Sequence, residues 1–279
     1  MLTCAKMNSN GNDFIVINNM DKKVDSANFP KMAINYCRRR EAIGADGILV
    51  AEPSDCADFK MRLFNRDGSE GEMCGNGSRC IARFAFEKGI VKTENIVFET
   101  IGGNVHAVVV KDKVTVSLAP VSLNGIVLDK PASVKGFNFS YTFLTVGVPH
   151  VVIFEEKRSR TDDEYREIGK AIRNRLDLFP EGANINFVVP KGNLEGDLNV
   201  LTYERGVEDL TLSCGTGSTA SAIASLLLGI SGPKVNVWNP GGLNKVSLNF
   251  ETVNIILPKL EGGAVYVADF TIVDELKVK

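Results

Sequence analysis

The chain is poor in histidine, with two in 279 residues, and its six cysteines include no Cys-x-x-Cys. Both absences argue against a zinc site, so no metal is expected. Without a disulfide framework, Cys4, Cys37, Cys56, Cys74, Cys80 and Cys214 read as reduced thiols of a cytoplasmic protein. No stretch approaches the roughly 20 apolar residues of a membrane span, and the most apolar helical run, Ile223 to Ile230, is far too short. The opening Met1-Leu2-Thr3-Cys4-Ala5-Lys6-Met7 goes straight into strand-like alternation, and no secretory leader is expected. A basic excess is also missing. Lys plus Arg is 32 against 34 Asp plus Glu, a net charge of -2, which leaves nothing to neutralise a nucleic-acid backbone. Neither Gly-x-Gly run continues into Gly-Lys-Ser/Thr or completes a dinucleotide fingerprint, so nucleotide loops are excluded. What is present, 44% hydrophobic and 24% charged residues, is the composition of an ordered globular protein with a sizeable core.

The chain repeats itself once. Gly44-Ala45-Asp46-Gly47-Ile48-Leu49-Val50 matches Gly182-Ala183-Asn184-Ile185-Asn186-Phe187-Val188, and Cys74-Gly75-Asn76-Gly77-Ser78 matches Cys214-Gly215-Thr216-Gly217-Ser218. Phe64-Asn65-Arg66 answers Tyr203-Glu204-Arg205, Gly102-Gly103 answers Gly241-Gly242, and Val114 to Leu118 answers Val253 to Leu257. Five matches in order, at offsets of 138 to 140, define a duplication. Each copy has the size of an ordinary domain. The boundary falls near Ala119 to Asn124, with Gly262-Gly263 closing the second copy and a leftover strand after it.

Both copies read as mixed. Strands are expected at 13–18, 59–64, 95–100, 104–110 and 113–118, then at 145–154, 200–203, 234–238 and 245–250. Helices are expected at 29–39 and 76–88, the latter stopped by Gly89, and at 162–173 and 217–228. Asp162 or Asp163 is a candidate cap for the third. The fold class is therefore α+β, with two pseudo-symmetric domains in which sheet wraps a helix.

Cys74 and Cys214 each stand between a polar loop and a Gly-x-Gly-Ser helix start. A helix N-terminus presents unpaired N–H groups and a positive dipole end. It should hold a thiol below its usual ~8.5 and bind a carboxylate. The duplication is expected to set the two thiols face to face across the interdomain cleft. That pair, in opposite protonation states on opposite sides of a carbon, is what a two-base racemase or epimerase needs. The other four cysteines read as buried, inert thiols. Glu204 could hold an ammonium and Arg205 a carboxylate in a bidentate fork. His150, with no mirrored counterpart, is expected to line the pocket or orient a partner.

At this point the residues resemble a known family. Asn10-Gly11-Asn12-Asp13-Phe14, Gly44-Ala45-Asp46-Gly47, Asn65-Arg66-Asp67-Gly68-Ser69, Met73-Cys74-Gly75-Asn76-Gly77-Ser78-Arg79-Cys80, Phe179-Pro180-Glu181-Gly182-Ala183-Asn184, Glu204-Arg205-Gly206 and Ser213-Cys214-Gly215-Thr216-Gly217 are similar to the diaminopimelate epimerases along nearly the whole chain. Proline racemases and phenazine-type isomerases share the general fold but not this set. The resemblance implies cofactor-independent interconversion of LL- and meso-diaminopimelate, in lysine and peptidoglycan precursor synthesis, with no pyridoxal phosphate. It implies Cys74 and Cys214 as the acid/base pair. Gly75, Asn76, Gly215 and Thr216 would cradle the reacting carboxylate, Asn12 would place the reacting amine, and Asn65, Asn184, Glu204 and Arg205 would grip the distal end. It implies domains over 1–119 and 120–263, a strand at 264–274 returning to the first, and a homodimer whose ligand is a small amino acid.

Three departures bear on the substrate. Val148 stands where the family often has an asparagine reaching the distal end, and Gly47 where some members carry glutamine. The loop at 207–211 is one residue longer than usual, with Leu210 in a place that is commonly acidic. The alternative these departures keep open is a racemase of another amino acid using the same thiols.

Overall fold

The structure, a computed structural model, describes residues 2–192 and 196–273. Residues 1 and 274, at the outer ends of the expected first domain, lie outside the described residues. The chain divides into two compact units. One takes in the described residues of Met1–Ser117 and Glu261–Lys279, the other those of Leu118–Leu260.

In the first unit β1 (Leu2–Ser9) and β2 (Asn12–Asn18) form a hairpin. Its two turn residues, Asn10 and Gly11, sit at φ 51° and 87°, as a tight hairpin turn of the right twist requires. The chain crosses through α1 (Phe29–Tyr36) to β3 (Gly47–Glu52), which is parallel to β2. β4 (Phe59–Asn65) and the short β5 (Glu70–Gly71) follow antiparallel. After α2 (Gly75–Glu87) comes β6 (Asn95–Thr100), parallel to β4, then the antiparallel strands β7 (Gly103–Val110) and β8 (Lys113–Ser117).

Strand alternation divides these residues between two layers. Ile15, Ile17, Ile48, Val50 and Phe64 face α1, meeting Phe29, Ala33 and Tyr36. The other face packs on α2, which touches β1, β2, β3, β7 and β8 and is buried from Asn76 through Ala82. The helix expected over 29–39 ends at Tyr36, closed by the Cys37 N–H on the Ala33 carbonyl, and Arg40 then turns the chain at φ 70°. Gly89, at φ 66°, stops α2 as expected.

The second unit begins with β9 (Val121–Ser122), β10 (Val127–Val134), β11 (Phe137–Val146) and β12 (Val148–Phe154). The single strand expected over 145–154 is thus two strands of a hairpin. Gly147, at φ 70°, reverses the chain between Val146 and Val148, which face each other. α3 (Asp162–Arg173) is capped by Thr161 and not by either aspartate. The Thr161 hydroxyl accepts the Glu164 N–H while the Glu164 carboxylate accepts the Thr161 N–H. β13 (Asn184–Pro190) is parallel to β12, and β14 (Leu198–Glu204) and β15 (Asp209–Thr211) follow antiparallel. After α4 (Gly215–Leu227), β16 (Lys234–Asn239) runs parallel to β14, then come β17 (Gly242–Thr252) and β18 (Ile255–Gly263). α4 is enclosed by strands from β11 to β17, with Gly217 through Ser225 all buried.

β19 (Val265–Ile272) completes the first unit by pairing antiparallel with β1, from Leu2 against Ile272 to Asn8 against Val265. β10 holds the same place against β11 in the second unit. The duplication read in the sequence is therefore one of topology. The order β19-β1-β2-β3-β4-β6-β7 recurs as β10-β11-β12-β13-β14-β16-β17, with every parallel and antiparallel step retained. Among the described residues, no helix is long and apolar enough to cross a membrane.

Candidate active site

Each unit carries a cysteine at the start of its enclosed helix. Cys74 is the N-cap of α2, in extended backbone at φ −139°, and its Sγ accepts the Gly77 N–H at 3.5 Å while its carbonyl accepts the Ser78 N–H at 2.7 Å. Cys214 caps α4 at φ −112° in the same way, with the Gly217 N–H 3.3 Å from its sulfur and the Ser218 N–H 2.9 Å from its carbonyl. An N–H donated to sulfur favours the thiolate over the thiol. Of the N–H groups that open each helix, the cap sulfur thus takes the third. The first two, on Gly75 and Asn76 and on Gly215 and Thr216, have no acceptor within the helix. Cys214 also has the Thr216 hydroxyl 3.5 Å from its sulfur.

The beds beneath the two helix starts differ. Gly77 lies against Phe14 and Leu49, and a Cβ there would stand 3.1 Å from Leu49 Cδ2. Gly217 lies against Asn186 and Thr202. Strand register matches Phe14 to His150 and Leu49 to Asn186, one residue away from the alignment read in the sequence, which set Leu49 against Phe187, so an apolar layer in one unit is replaced by a polar one in the other. In that layer Thr202 Oγ1 donates to Asn186 Oδ1 at 3.0 Å. Asn186 Nδ2 donates to the Val151 carbonyl at 3.0 Å and meets His150 Nδ1 at 3.2 Å. Since Asn186 Nδ2 has only hydrogens to give, His150 Nδ1 is the acceptor and the ring proton sits on Nε2. His150 is fully buried, and its Nε2 has no partner among the described residues. Burial, reinforced by the positive charge of Arg205, lowers its pKa to about 3, so it is a neutral ring at physiological pH. Asn186 and Thr202 were not expected as site residues. On that strand the resemblance named Asn184 alone, and only the facing Thr202 shows what Asn186 does.

Four of the remaining expected residues, Asn12, Asn65, Asn184 and Glu204, fall at strand ends, and Arg205 directly follows one. In the first unit Asn12 opens β2, and its Oδ1 is buried without a partner among the described residues. Asn65 closes β4, exposed, donating to Ser69 Oγ at 3.0 Å. In the second unit the Asn184 side-chain oxygen accepts the Arg205 N–H at 2.7 Å, and Arg205 Nη1 reaches the Glu181 carbonyl at 2.7 Å. This ties the start of β13 to the end of β14. Burial raises the pKa of the Glu204 carboxyl above the usual carboxylate range.

Two of the three departures, Gly47 and the 207–211 loop, have a structural setting that accounts for them. A Cβ on Gly47 would stand 2.6 Å from the Phe64 carbonyl, so this backbone admits no side chain there. The longer loop turns at Gly206 and Glu208, both at positive φ. Its acids are engaged by the neighbouring helix, Glu208 by Arg173 at 2.7 Å and Asp209 by Arg166 at 2.6 Å. Leu210 packs on the apolar cluster beneath α3. All six cysteines are free thiols. Cys4, Cys37 and Cys80 are buried, with burial pushing Cys4 and Cys37 up to about 12. Cys56, expected to be buried, is exposed, because the turn after Pro53 carries it outward beside Ser54 and Glu99. Among the described residues, no group of three or more His, Cys, Asp or Glu is placed to hold a metal ion.

Two copies of one α+β unit, each enclosing a helix capped by cysteine, define the class of duplicated α+β folds. Solved structures of that architecture span nearly the whole chain. A phenazine biosynthesis protein of the PhzF family from Bacillus anthracis matches with a TM-score of 0.74 at 14% identity, covering 98% of this chain and 99% of its own. A hydroxyproline epimerase from Agrobacterium vitis matches with a TM-score of 0.71 at 16% identity, covering 96% and 91%. The profile of the family described as Diaminopimelate epimerase matches residues 4–123 and 142–266. Diaminopimelate epimerases of Caldanaerobacter subterraneus and Clostridium perfringens are 39% and 37% identical to this chain. These alignments cover 86% and 96% of this chain and 89% and 98% of those proteins. The chain belongs to the diaminopimelate epimerase family of isomerases.

Proposed function

We propose that the protein interconverts LL- and meso-2,6-diaminopimelate by a two-thiol, two-base reaction, in the supply of lysine and peptidoglycan precursors. The observation that carries this reading is the paired helix start. Two cysteines in duplicated settings each have a sulfur held by the third N–H of a helix and two further N–H groups beside it. One sulfur, as thiolate, takes the α-proton, while the other, as thiol, gives a proton to the opposite face of the carbon. In the reverse direction the roles exchange. The N–H groups of Gly75, Asn76, Gly215 and Thr216 hold the reacting carboxylate and the charge that builds on it as the proton leaves. Asn12 places the reacting amine. Asn65, Asn184, Glu204 and Arg205 bind the distal amino acid, and neutral His150 orients the substrate as an Nε2–H donor.

The test is α-proton exchange in deuterated water, followed by NMR, with LL-diaminopimelate beside a panel of free L-amino acids. Exchange confined to diaminopimelate is the expected result. Exchange of another amino acid with diaminopimelate silent would keep the thiols and replace the substrate, the outcome to which Val148 would then point.

Glu204 gives this reading a pH signature. A carboxyl whose pKa is raised by burial stays protonated to higher pH than a free glutamate, and a bound ammonium draws it back to the charged form. Binding therefore expels a proton wherever Glu204 is still protonated, and KM for diaminopimelate should rise as pH falls through its raised value. Glu204→Gln should raise KM tenfold or more at neutral pH and flatten that dependence. A variant retaining the wild-type KM–pH curve would remove Glu204 from the substrate site.

A further inference from the structure

Among the described residues, Arg79 is the largest fully buried side chain. Its Nε donates to Ser9 Oγ at 2.9 Å, and Ser9 in turn donates to the Gly263 carbonyl at 2.7 Å. Its Nη2 donates to Asn76 Oδ1. Its Nη1 has no partner among the described residues. Gly262 lies so close that a Cβ would stand 2.8 Å from Cζ, so the glycine backbone of β18 lies against the guanidinium. No carboxylate among the described residues hydrogen-bonds it. Burial lowers Arg79 to about 10, and the titratable groups whose charge opposes this are the thiols of Cys80 and Cys74. It remains a cation at neutral pH.

A buried, unpaired charge is strongly destabilising unless something of opposite sign stands near it. Among the described residues, no carboxylate of the elements packed on α2 forms an ion pair with it, Glu261 beside Gly262 on β18 included. Asp13 of β2 is taken by Lys6 of β1 and by Arg39. Glu52 of β3 is paired with Arg62, Lys113 of β8 with Asp112, Asp269 of β19 with Lys88, and Arg83 of α2 with Glu87. His106 of β7 is exposed. The Cys80 thiol is wholly buried, and burial holds it protonated. That leaves the sulfur at the start of the same helix. In the other unit the matching residue of α4 is Thr219, whose hydroxyl donates to the Gly215 carbonyl at 3.0 Å and brings no charge.

We infer that Arg79 is a positioning residue of the Cys74 half of the site. Its guanidinium fixes the Asn76 amide and sets a positive charge behind the Cys74 turn, so that Cys74, and not Cys214, carries the negative charge in the resting protein. The inference rests on the reading of both cysteines as acid/base groups. Its test requires no turnover.

The pH dependence of iodoacetamide alkylation at Cys74 and at Cys214, read separately by peptide mass spectrometry, gives each thiol its own midpoint. In the wild type the Cys74 midpoint should lie about one pH unit or more below that of Cys214. Arg79→Gln should raise the Cys74 midpoint by a similar amount and leave Cys214 in place, and Arg79→Lys should restore most of the difference. Equal midpoints in the wild type, or a lower one at Cys214, would overturn the inference even if Arg79→Gln fails to fold. So would a folded Arg79→Gln protein with Cys74 unmoved. A protein with the expected midpoints but no exchange of diaminopimelate would refute the substrate assignment and leave the role of Arg79 standing.

Discussion

Cys74→Ala and Cys214→Ala should each abolish interconversion in both directions, with kcat lowered by at least about 10³-fold, within the range that positioned acid/base groups supply. In the proposed reaction each turnover uses one sulfur to take a proton and the other to give one, so neither thiol could stand in for its counterpart. Serine is no remedy at either position. Its hydroxyl also accepts an N–H at a helix start, so Cys74→Ser and Cys214→Ser should keep the fold, but an alcohol ionises far too weakly to serve as base at neutral pH. The measurement is NMR of both diaminopimelate isomers with each variant, beside a thermal melt. A folded variant within tenfold of the wild type would show that one thiol suffices and would end the two-base reading.

Gly217→Ala and Gly77→Ala should differ sharply, although each adds one methyl to the third residue of an equivalent helix. In an open helix either change would help by about 1 kcal/mol. At Gly77 the new methyl meets the movable end of Leu49 at 3.1 Å, and the net change should stay within about 1 kcal/mol. At Gly217 it lands on Asn186 Oδ1 and stands 3.1 Å from Thr202 Oγ1. Those atoms are bonded to each other and, through Asn186 Nδ2, to the Val151 carbonyl and the His150 ring, so they cannot yield singly. The expected loss is about 2–4 kcal/mol, among the larger effects of a single substitution. Urea denaturation of the two variants side by side decides it. Equal losses would mean that the polar layer yields as readily as the apolar one.

That polar layer also marks where reading from sequence alone stopped. The duplication was legible because the motifs at Gly44 and Gly182, and at Cys74 and Cys214, recur at nearly constant spacing. The place of each cysteine ahead of a helix followed from the glycines beside it. What separates the halves was not legible. Phe14 and Leu49 stood in quoted motifs with no part assigned to them, and His150 was expected to line the pocket or orient a partner that was not named. Only strand register brings Asn186 under the ring and Thr202 under Asn186. Arg79 stood in plain view inside a quoted motif. Its burial could not be read, because an arginine in a helix is far more often on the outer face. The hairpin of β11 and β12 was read as one strand because Val146-Gly147-Val148 offers a single residue as its turn.

The placing of β19 bears on the order in which the molecule can be assembled. The second unit carries its flanking strand β10 just ahead of β11, so a ribosome delivers that hairpin in one piece. The first unit must wait for its own. β1 emerges early, but the strand that covers its edge is translated only after the whole second unit has been made. In the nascent chain that edge is bare, with backbone groups ready to pair with any extended segment. Moving residues 265–272 ahead of Leu2 through a short linker would turn the chain into two tandem modules of one design. A chain so rearranged should no longer depend on its last-made strand to close its first-made sheet.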